Sequence, residues 1–357
     1  MADWLKSMNQ TFEYYVVDPG TWRDSKKLDT VKSCTITRDA EAETLGSATI
    51  DVTNLLGESY IRVYLVTDQN GVTDRYPLGT FLVQTPSSSF DGKKRDASLD
   101  AYTPLIELKE NPPPLGYSIL KDENILENAY LLCREHARAP VVRASADDKL
   151  YADFVANTDD TWSSFLTDLL ANAKYHFDLD EMGRILFAPK QETASLQPVW
   201  EFNDDTSSIL YSDFSMEHDY YGIPNIVEVV YSKGNEYYSA KAINDDENSP
   251  TSTVNRGREI IHRVNNPDLI GDPTNKQIEE YAERLLKELS SVEYTVTYTH
   301  GYCPVRIGDC VRLNYSRAGI NGIKAKVVSQ SIKCESGCPV TEKAVFTMKL
   351  WGDESWT

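Results

Sequence analysis

Basic residues are scarce in this sequence relative to acidic ones. Its 357 residues include 36 Lys and Arg against 55 Asp and Glu, which gives a formal net charge of −19. Proteins that bind nucleic acids concentrate Lys and Arg, because basic groups displace counterions from phosphates. The balance therefore argues against a dedicated nucleic-acid surface. It favours a role of the charge in solubility, with a surface that repels DNA or another polyanion as the functional alternative.

Long apolar runs are also missing. No run approaches the roughly 20 residues that span a bilayer, and the N-terminal stretch MADWLKSMNQ lacks the basic-then-apolar order of a signal peptide. We therefore expect a soluble protein, without a membrane partner, that stays in the cytoplasm until it is assembled or released. Apolar residues make up 41% of the chain, which is an ordinary content for packed cores in two to four domains.

The sequence lacks the common motifs of catalysis. It has no Gly-rich phosphate loop, no Gly-x-Ser-x-Gly elbow and no pair of carboxylates in a recognisable glycosidase setting. His136, His176, His218 and His262 show neither the His-x3-His nor the His-Glu-x2-His spacing of zinc hydrolases. We therefore predict no catalytic, cofactor-binding or metal-binding residues, and no cofactor.

Cysteine is sparse but not evenly spread. The six cysteines stand at positions 34, 133, 303, 310, 334 and 338. The last four form Cys-x6-Cys and Cys-x3-Cys pairs, of which only the second falls at the edge of zinc-knuckle spacing. We favour free thiols in strands and turns, as a cytoplasmic protein implies, and a local disulfide or structural zinc stays open as the alternative.

Among the motifs that are present, one resembles a nucleophile loop. In HGYCPVRIGDCVRL, Cys310 ends a Gly-Asp-Cys tripeptide and follows His300 by ten residues. A thiol becomes a catalyst only when a base lowers its pKa and a third group orients that base, and no third group is fixed by the sequence. We interpret Gly308 and Asp309 as a tight turn between two strands, with Cys310 a small buried residue at the start of the second.

Two acidic stretches imitate cation sites. Asp178 to Gly183 begins like a calcium loop, but position five of that loop is Met182 and position twelve is Pro189, which cannot supply the bidentate carboxylate. We therefore predict a hairpin turn there. The acidic loop Asn244–Asn248 could attract a cation, and a solvated loop is the favoured interpretation.

The first hundred residues have the high content of β-branched and aromatic residues that is typical of β-strands. Asn70-Gly71 is the strongest hairpin signal, because both residues tolerate positive φ. The predicted strands are Thr11–Val17, Val31–Arg38, Ala48–Val52, Ile61–Thr67, Thr80–Gln84 and Ala97–Tyr102. Short strands at this spacing predict a small barrel or sandwich over residues 1–108, and three prolines at 112–114 mark a linker after it.

Three further segments complete the predicted organisation. Residues 115–198 form an α/β module with helices at Asp122–Ala137 and Asp159–Ala173, followed by a hairpin. Residues 199–299 form a second strand and helix module, in which Thr274 and Gln277 make a capping box. Residues 300–357 form a C-terminal β-unit that completes a second barrel with strands of the 199–299 segment. The predicted strands of the last two segments are 226–232, 236–243, 294–299, 323–331 and 343–350.

The order of these elements resembles the central hub of phage tail baseplates, a family that includes hubs of contractile tails and of phage-derived bacteriocins, with relatives in type VI secretion spikes. The resemblance rests on IPNIVEVVYSKG at 223–234, SPTSTVNRGREI at 249–260, the helix QIEEYAERLLKEL at 277–289 and the Gly308-Asp309 turn. It covers nearly the whole chain. The cysteines after position 300 are not a feature of the family.

The resemblance implies a mainly β fold with two small tube-like antiparallel β-barrels plus helix and hairpin insert domains. It implies a homotrimeric virion protein whose six barrels form a ring between a sixfold tail tube and a threefold spike. Expected partners are the tail tube protein, the central spike, baseplate wedge proteins and the tape measure protein, with DNA only passing through the lumen. No catalytic residues are expected in such a hub.

Two other function classes stay open at this point. Some hub-like tail proteins resemble or are fused to cell-wall peptidases or muramidases, although this chain ends at LWGDESWT directly after its last predicted strand. A carbohydrate-binding tail module would need exposed aromatic residues, and the 21 tyrosines leave room for them. We expect the structural hub.

Overall fold

The computed structural model describes residues 2–53, 56–90, 92–93, 95–191, 193–205, 208–233, 236–267 and 274–351. Its helices are α1 (Ile106–Lys109), α2 (Ile125–His136), α3 (Trp162–Asn172), α4 (Thr253–Arg256) and α5 (Asn275–Leu289). Its first strands are β1 (Asn9–Asp18), β2 (Arg23–Lys27), β3 (Val31–Asp39), β4 (Gly46–Val52), β5 (Tyr60–Gln69), β6 (Val72–Phe90), β7 (Arg95–Tyr102), β8 (Ser118–Ile119), β9 (Phe154–Val155), β10 (Tyr175–Leu179) and β11 (Ile185–Pro189). The remaining strands are β12 (Trp200–Asn203), β13 (Leu210–His218), β14 (Ile226–Lys233), β15 (Glu236–Ile243), β16 (Ile261–Asn265), β17 (Ser291–Gly301), β18 (Cys310–Tyr315), β19 (Ile320–Lys333) and β20 (Pro339–Lys349).

The chain forms two compact units. Unit 1 contains Met1–Phe214 and Thr297–Ala344, and unit 2 contains Ser215–Val296 and Val345–Thr357. Within the described ranges, no helix combines the length and the apolar character that crossing a membrane requires. The four segment boundaries predicted from the sequence stay a prediction.

Unit 1 is built on a large sheet whose strand order is β13-β17-β20-β19-β3-β4-β7-β6-β5-β1-β2, with β18 attached to β19 and β12 to β18. Strand β4 alternates buried and more exposed residues along its length, as a half-buried strand should. Asn70 and Gly71 have φ of 53° and 76°, so the predicted hairpin turn between β5 and β6 is confirmed. All six strands predicted in the first hundred residues are present.

The pairing of β3 with β19 joins the two ends of the chain in one sheet. Ile36 lies opposite Ile332 in this antiparallel pair, and both side chains are buried. Strand β2 was not predicted from the sequence. Its residues, RDSKK, show no alternation of apolar and polar side chains, and they lie mostly exposed beside β1. Closure of the strands into barrels stays a prediction.

The two predicted helices of the 115–198 module are confirmed, with later starts. Asn124 caps α2 by accepting a hydrogen bond from the Glu127 backbone N–H, and Thr161 forms a capping box with Ser164 at the start of α3. Polar residues ahead of these caps therefore lie outside the helices. The helices pack with the β10–β11 hairpin around Phe165, Leu169 and their apolar neighbours.

Unit 2 contains a three-stranded sheet in the order β15-β14-β16. Helix α5 packs its apolar stripe, including Ile278 and Leu286, against one face of this sheet. The predicted capping box of Thr274 and Gln277 is confirmed. Strand β16 runs parallel to β14 and was not predicted. The turn residues Gly234 and Asn235 lie outside the described residues, as do Asn54, Leu55, Asp91 and the last six residues.

Strands β17, β19 and β20 confirm the three predicted near the C-terminus. The fold is mainly β, with large antiparallel sheets and smaller helix and hairpin modules. The fold class predicted from the sequence is therefore confirmed at this level.

Candidate functional site

The tripeptide that resembles a nucleophile loop is a turn. Gly308 has φ of 88°, and the Asp309 carboxylate accepts a hydrogen bond from the Arg306 backbone N–H at 2.8 Å. Cys310 begins β18 opposite Lys326 and is buried. Its sulfur contacts the carbonyl oxygen of Val311 at 3.8 Å, and burial raises the pKa of its thiol. The predicted role of Cys310 as a buried strand residue is confirmed.

His300 has a different thiol as its neighbour. The Sγ atom of Cys303 lies 3.8 Å from Nδ1 of His300, and Oε1 of Glu342 lies 3.3 Å from Nε2. A cysteine, a histidine and a carboxylate in this order have the composition of a catalytic triad. The sequence interpretation paired His300 with Cys310 and missed both of these partners.

The hydrogen bond made by Nδ1 of His300 prevents this nitrogen from acting as a base for Cys303. Nδ1 lies 2.7 Å from the carbonyl oxygen of Gly301, so this nitrogen carries a hydrogen and donates to that oxygen. Nε2 faces the Glu342 carboxylate, which is a hydrogen-bond acceptor when ionised. The 3.3 Å separation is an ion-pair contact rather than a well-aligned hydrogen bond. Nδ1 is the ring nitrogen nearest the Cys303 thiol, and because it donates to Gly301 it has no lone pair to take the proton of that thiol.

Burial closes this group to any substrate. The exposed fractions are 0% for His300, 0% for Glu342 and 2% for Cys303. Burial also raises the pKa of the Cys303 thiol, and the nearby Glu342 carboxylate adds to the effect. A nucleophilic cysteine needs an accessible thiolate, so this arrangement is structural.

Glu342 is the centre of a buried polar junction, which we define as Arg38, Tyr298, His300, Gln330 and Glu342. Tyr298 donates to Oε2 of Glu342 at 2.6 Å, and Gln330 donates to Oε1 at 2.6 Å. Arg38 in turn donates to Gln330 at 3.0 Å. Burial by itself would raise the pKa of Glu342, but His300 and the hydrogen bonds from Tyr298 and Gln330 together hold that pKa below its ordinary value.

The polar junction spans β3, β17, β19 and β20. The hydrogen bonds of Tyr298 and Gln330 to Glu342 and of Arg38 to Gln330 all cross between strands, and His300 contacts Glu342 from β17 to β20. The junction therefore ties the N-terminal strand β3 to the C-terminal strands, and a change in strand register would break several of its contacts together.

The stretch at 178–183 that resembles a calcium loop is a hairpin turn, and arginines pair with its carboxylates. It forms the β10–β11 hairpin turn, in which the Gly183 N–H donates to the Asp180 carbonyl oxygen at 2.9 Å. Arg184 pairs with Asp180, and Arg306 pairs with Glu181 at 2.7 Å. The predicted hairpin turn is confirmed, and its carboxylates are occupied by arginines.

Arg62 fastens this turn to the N-terminal strands. Its guanidinium donates to Asp24 at 2.8 Å, to Thr80 at 2.9 Å and to the carbonyl oxygen of Met182 at 3.1 Å. Trp22 donates to the same carbonyl oxygen at 2.8 Å. Arg62 is 1% exposed. Sequence reasoning missed its role, although a single arginine in the apolar run YIRVYLV was a visible signal.

The remaining histidines lie in separate elements. His136 stacks on Trp162 with ring centres 4.2 Å apart, and burial lowers the pKa of His176 in β10. His262 lies exposed in β16, and His218 packs against Tyr294. Within the described part of the chain, no three His, Cys, Asp or Glu side chains are grouped closely enough to hold a metal ion. The acidic loop at 244–248 is anchored by buried Asn244 and exposes Asp245 and Glu247.

Two solved structures share the architecture described above. One is a tail protein from Neisseria meningitidis MC58, with a TM-score of 0.61, 14% identity, and coverage of 94% of this chain and 97% of that one. The other is a 43 kDa tail protein of prophage MuSo2 from Shewanella oneidensis, with a TM-score of 0.61, 11% identity, and coverage of 94% and 98%. The chain has the fold of phage tail proteins. No protein-family model and no curated protein matches it.

The low sequence identity to these tail proteins explains why the sequence motifs for this fold were weak. At 11–14% identity, few side chains are shared with the two structures, and a common backbone can be kept while core residues are exchanged for others of suitable size. The fold by itself does not assign a function.

The burial of the thiols gives a direct prediction. In freshly reduced native protein, we expect an alkylating reagent to modify Cys334, which is partly exposed, at least about 100-fold faster than Cys303 or Cys310, because only an accessible thiolate reacts. Mass spectrometry of timed samples measures each rate. Equal rates for Cys303 and Cys334 in the folded state would contradict the structural role of the Cys303 and His300 pair.

Proposed function

We propose that this chain is a structural hub of a phage or phage-like tail baseplate, and not an enzyme. The observation that carries the proposal is the agreement in fold with two tail proteins over 94% of this chain and over nearly all of each of theirs. His300 and Cys303 are both buried, so no substrate can reach them, and this supports a non-enzymatic role. In this proposal the protein resides in the tail baseplate of the particle after assembly in the host cytoplasm.

The proposed assembly is a homotrimer that forms a pseudo-sixfold ring. Each chain contributes N-terminal strands β1–β7 and C-terminal strands β17–β20 to a continuous sheet, so that three chains supply six β-units. A ring of this kind offers six similar surfaces to a sixfold tail tube and three identical ones to a threefold spike. Its proposed partners are the tube protein, the central spike, wedge proteins and the tape measure protein.

The net charge of −19 fits this role. A ring whose lumen passes DNA gains from repelling phosphates rather than binding them. We therefore propose that acidic side chains predominate along the lumen. A basic lumen in the assembled ring would contradict this part of the proposal.

Electron microscopy of the purified chain tests the assembly. We expect negative-stain images, classified without imposed symmetry, to contain threefold rings with a central opening, and light scattering to give three times the 40.3 kDa mass of one chain. A cell-wall digestion assay should release no fragments. Monomers that persist when the tube and spike proteins are added, together with cell-wall cleavage, would support the alternative of a tail-associated peptidase or muramidase.

A further inference from the structure

Three of the six cysteines meet near one end of β3 and β19. Cys34 lies in β3, Cys334 directly follows β19, and Cys338 directly precedes β20. Lys333 is opposite Thr35 in the antiparallel pair of β3 and β19, so the same register places Cys334 opposite Cys34. The Cys334 N–H donates to the Cys34 carbonyl oxygen at 2.9 Å, which extends the ladder by one step.

This position has the geometry that a disulfide requires. Opposite residues of a hydrogen-bonded antiparallel pair have Cα atoms about 5.5 Å apart, and disulfides join residues with Cα atoms about 4.4–6.8 Å apart. Opposite residues also project their side chains from the same face of the sheet. Cys34 and Cys334 therefore need little backbone movement to be joined.

The two thiols already interact in the reduced protein. The hydrogen bond between the side chains of Cys34 and Cys334 is the largest of the effects that raise the pKa of Cys34, and burial is the next. Cys34 is buried, whereas Cys334 is partly exposed. Cys338 is buried as well. Its influence on Cys34 is electrostatic, and so is the influence of Cys334 on Cys338. A reagent in solution therefore reaches Cys334 first and finds Cys34 as the adjacent thiol.

We propose that Cys34 and Cys334 form a cross-strand disulfide when the protein meets a small-molecule disulfide such as oxidised glutathione. The Cys334 thiolate attacks one glutathione sulfur, forms a mixed disulfide and expels a glutathione thiolate. The Cys34 thiolate then attacks the Cys334 sulfur and expels the second glutathione thiolate. The two cysteines lose two protons and two electrons, and one glutathione disulfide becomes two thiols. This inference does not depend on the proposed function.

The disulfide would link β3 covalently to the end of β19. Its two cysteines are about 300 positions apart in the chain. A cross-link between distant positions stabilises mainly by restricting the unfolded chain. We therefore expect the oxidised protein to unfold at a temperature several degrees higher than the reduced protein, and to return to the lower value after treatment with dithiothreitol. Once Cys334 is in the mixed disulfide, burial and the nearby Asp51 and Cys338 still raise the pKa of the Cys34 thiol, and Tyr14 is the other titratable group beside it. The second step should therefore accelerate about tenfold per pH unit between pH 7 and pH 9, as the thiolate fraction grows.

Peptide mapping of the full chain tests the proposal. Reduced protein is incubated with oxidised glutathione, remaining thiols are alkylated, and the digest is analysed by mass spectrometry without reduction. We expect a linked pair of peptides that contain Cys34 and Cys334. Cys338→Ala is the matched control and should keep the linked pair and the rise in unfolding temperature, whereas Cys334→Ala should lose both.

Two results would overturn the proposal. One is a predominant link between Cys334 and Cys338, which would make the modification a local staple of the β19–β20 turn. The other is a glutathione adduct on Cys334 that persists at pH 9 without resolving. Both results are read from the wild-type protein, so they do not depend on whether a variant folds, and both leave the electron-microscopy test of the ring unaffected.

Discussion

Replacing Glu342 by Gln should lower the free energy of unfolding of unit 1 by about 3 kcal/mol, because hydrogen bonds to a buried carboxylate contribute about 1.5–3 kcal/mol and a buried donor left without an acceptor costs about 1–3 kcal/mol. The substitution keeps the shape of the side chain but replaces one carboxylate oxygen by an amide N–H2 group, so that a donor from Tyr298 or Gln330 loses its acceptor. Denaturant unfolding followed by tryptophan fluorescence measures the change, with separate transitions fitted for the two units if they do not coincide.

Matched controls separate this effect from the general cost of a substitution. Glu280 pairs with Lys276 on the exposed side of α5, so Glu280→Gln should change stability by less than about 0.5 kcal/mol. A double-mutant cycle of Glu342→Gln with His300→Gln should give a coupling energy of at least about 1 kcal/mol. Additive effects of the two substitutions would show that the pair does not interact.

The same pair gives a dependence of stability on pH. The pKa of Glu342 is lower in the folded protein than its ordinary value of 4.5. A depressed carboxyl pKa contributes stability that is fully present above the unfolded-state pKa and is lost as the pH falls through the folded-state pKa. The wild-type protein should therefore lose stability below about pH 4.5, and Glu342→Gln should remove this part of the loss.

Replacing Arg62 by Met should have the second large effect. Met fills much of the volume of the side chain but leaves Asp24, Thr80 and the Met182 carbonyl oxygen without their shared donor. Trp22 still donates to the Met182 carbonyl oxygen and Tyr64 to Asp24, so the loss comes from the charged hydrogen bonds of the guanidinium, which contribute about 1.5–3 kcal/mol each. We therefore expect a loss of about 3 kcal/mol. Hydrogen exchange should also accelerate in the β10–β11 hairpin, because its turn loses one of the bonds that hold it to the N-terminal strands.

Arg62→Lys and Arg263→Met are the informative comparisons. Lysine keeps the charge but cannot reproduce the fork of guanidinium donors, so Arg62→Lys should also be destabilising. Arg263 pairs with Glu228 but is 70% exposed, and its replacement should cost less than about 1 kcal/mol. Unchanged exchange in the hairpin of Arg62→Met would contradict the role of Arg62 in docking the turn.

Local signals in the sequence were enough to predict most of the elements. The Thr274 and Gln277 capping box was predicted correctly, because a cap depends on residues only three positions apart. The Asn70-Gly71 turn was predicted for the same reason, since its conformation is set by the residues within it. Elements without a local apolar pattern, such as β2 and β16, were missed.

The candidate site could be predicted only in part. The turn at Gly308 and Asp309 and the burial of Cys310 followed from their place between two strands. The partner of His300 did not, because it depends on how β17 lies beside β20. Glu342 is more than 40 positions away in the sequence, and no pattern in either strand marks the contact.

The sequence by itself determined the mainly β character, the helix caps, the hairpin turns and the lack of a recognisable catalytic motif, because each of these depends on neighbouring residues or on composition. Only the tertiary structure decided that β3 pairs with β19, that Arg62 holds the turn at Met182 and that Cys34 faces Cys334. These contacts join residues that are far apart in the chain. Their register is set by the packing of whole strand faces, in which many residues contribute and no single motif is sufficient.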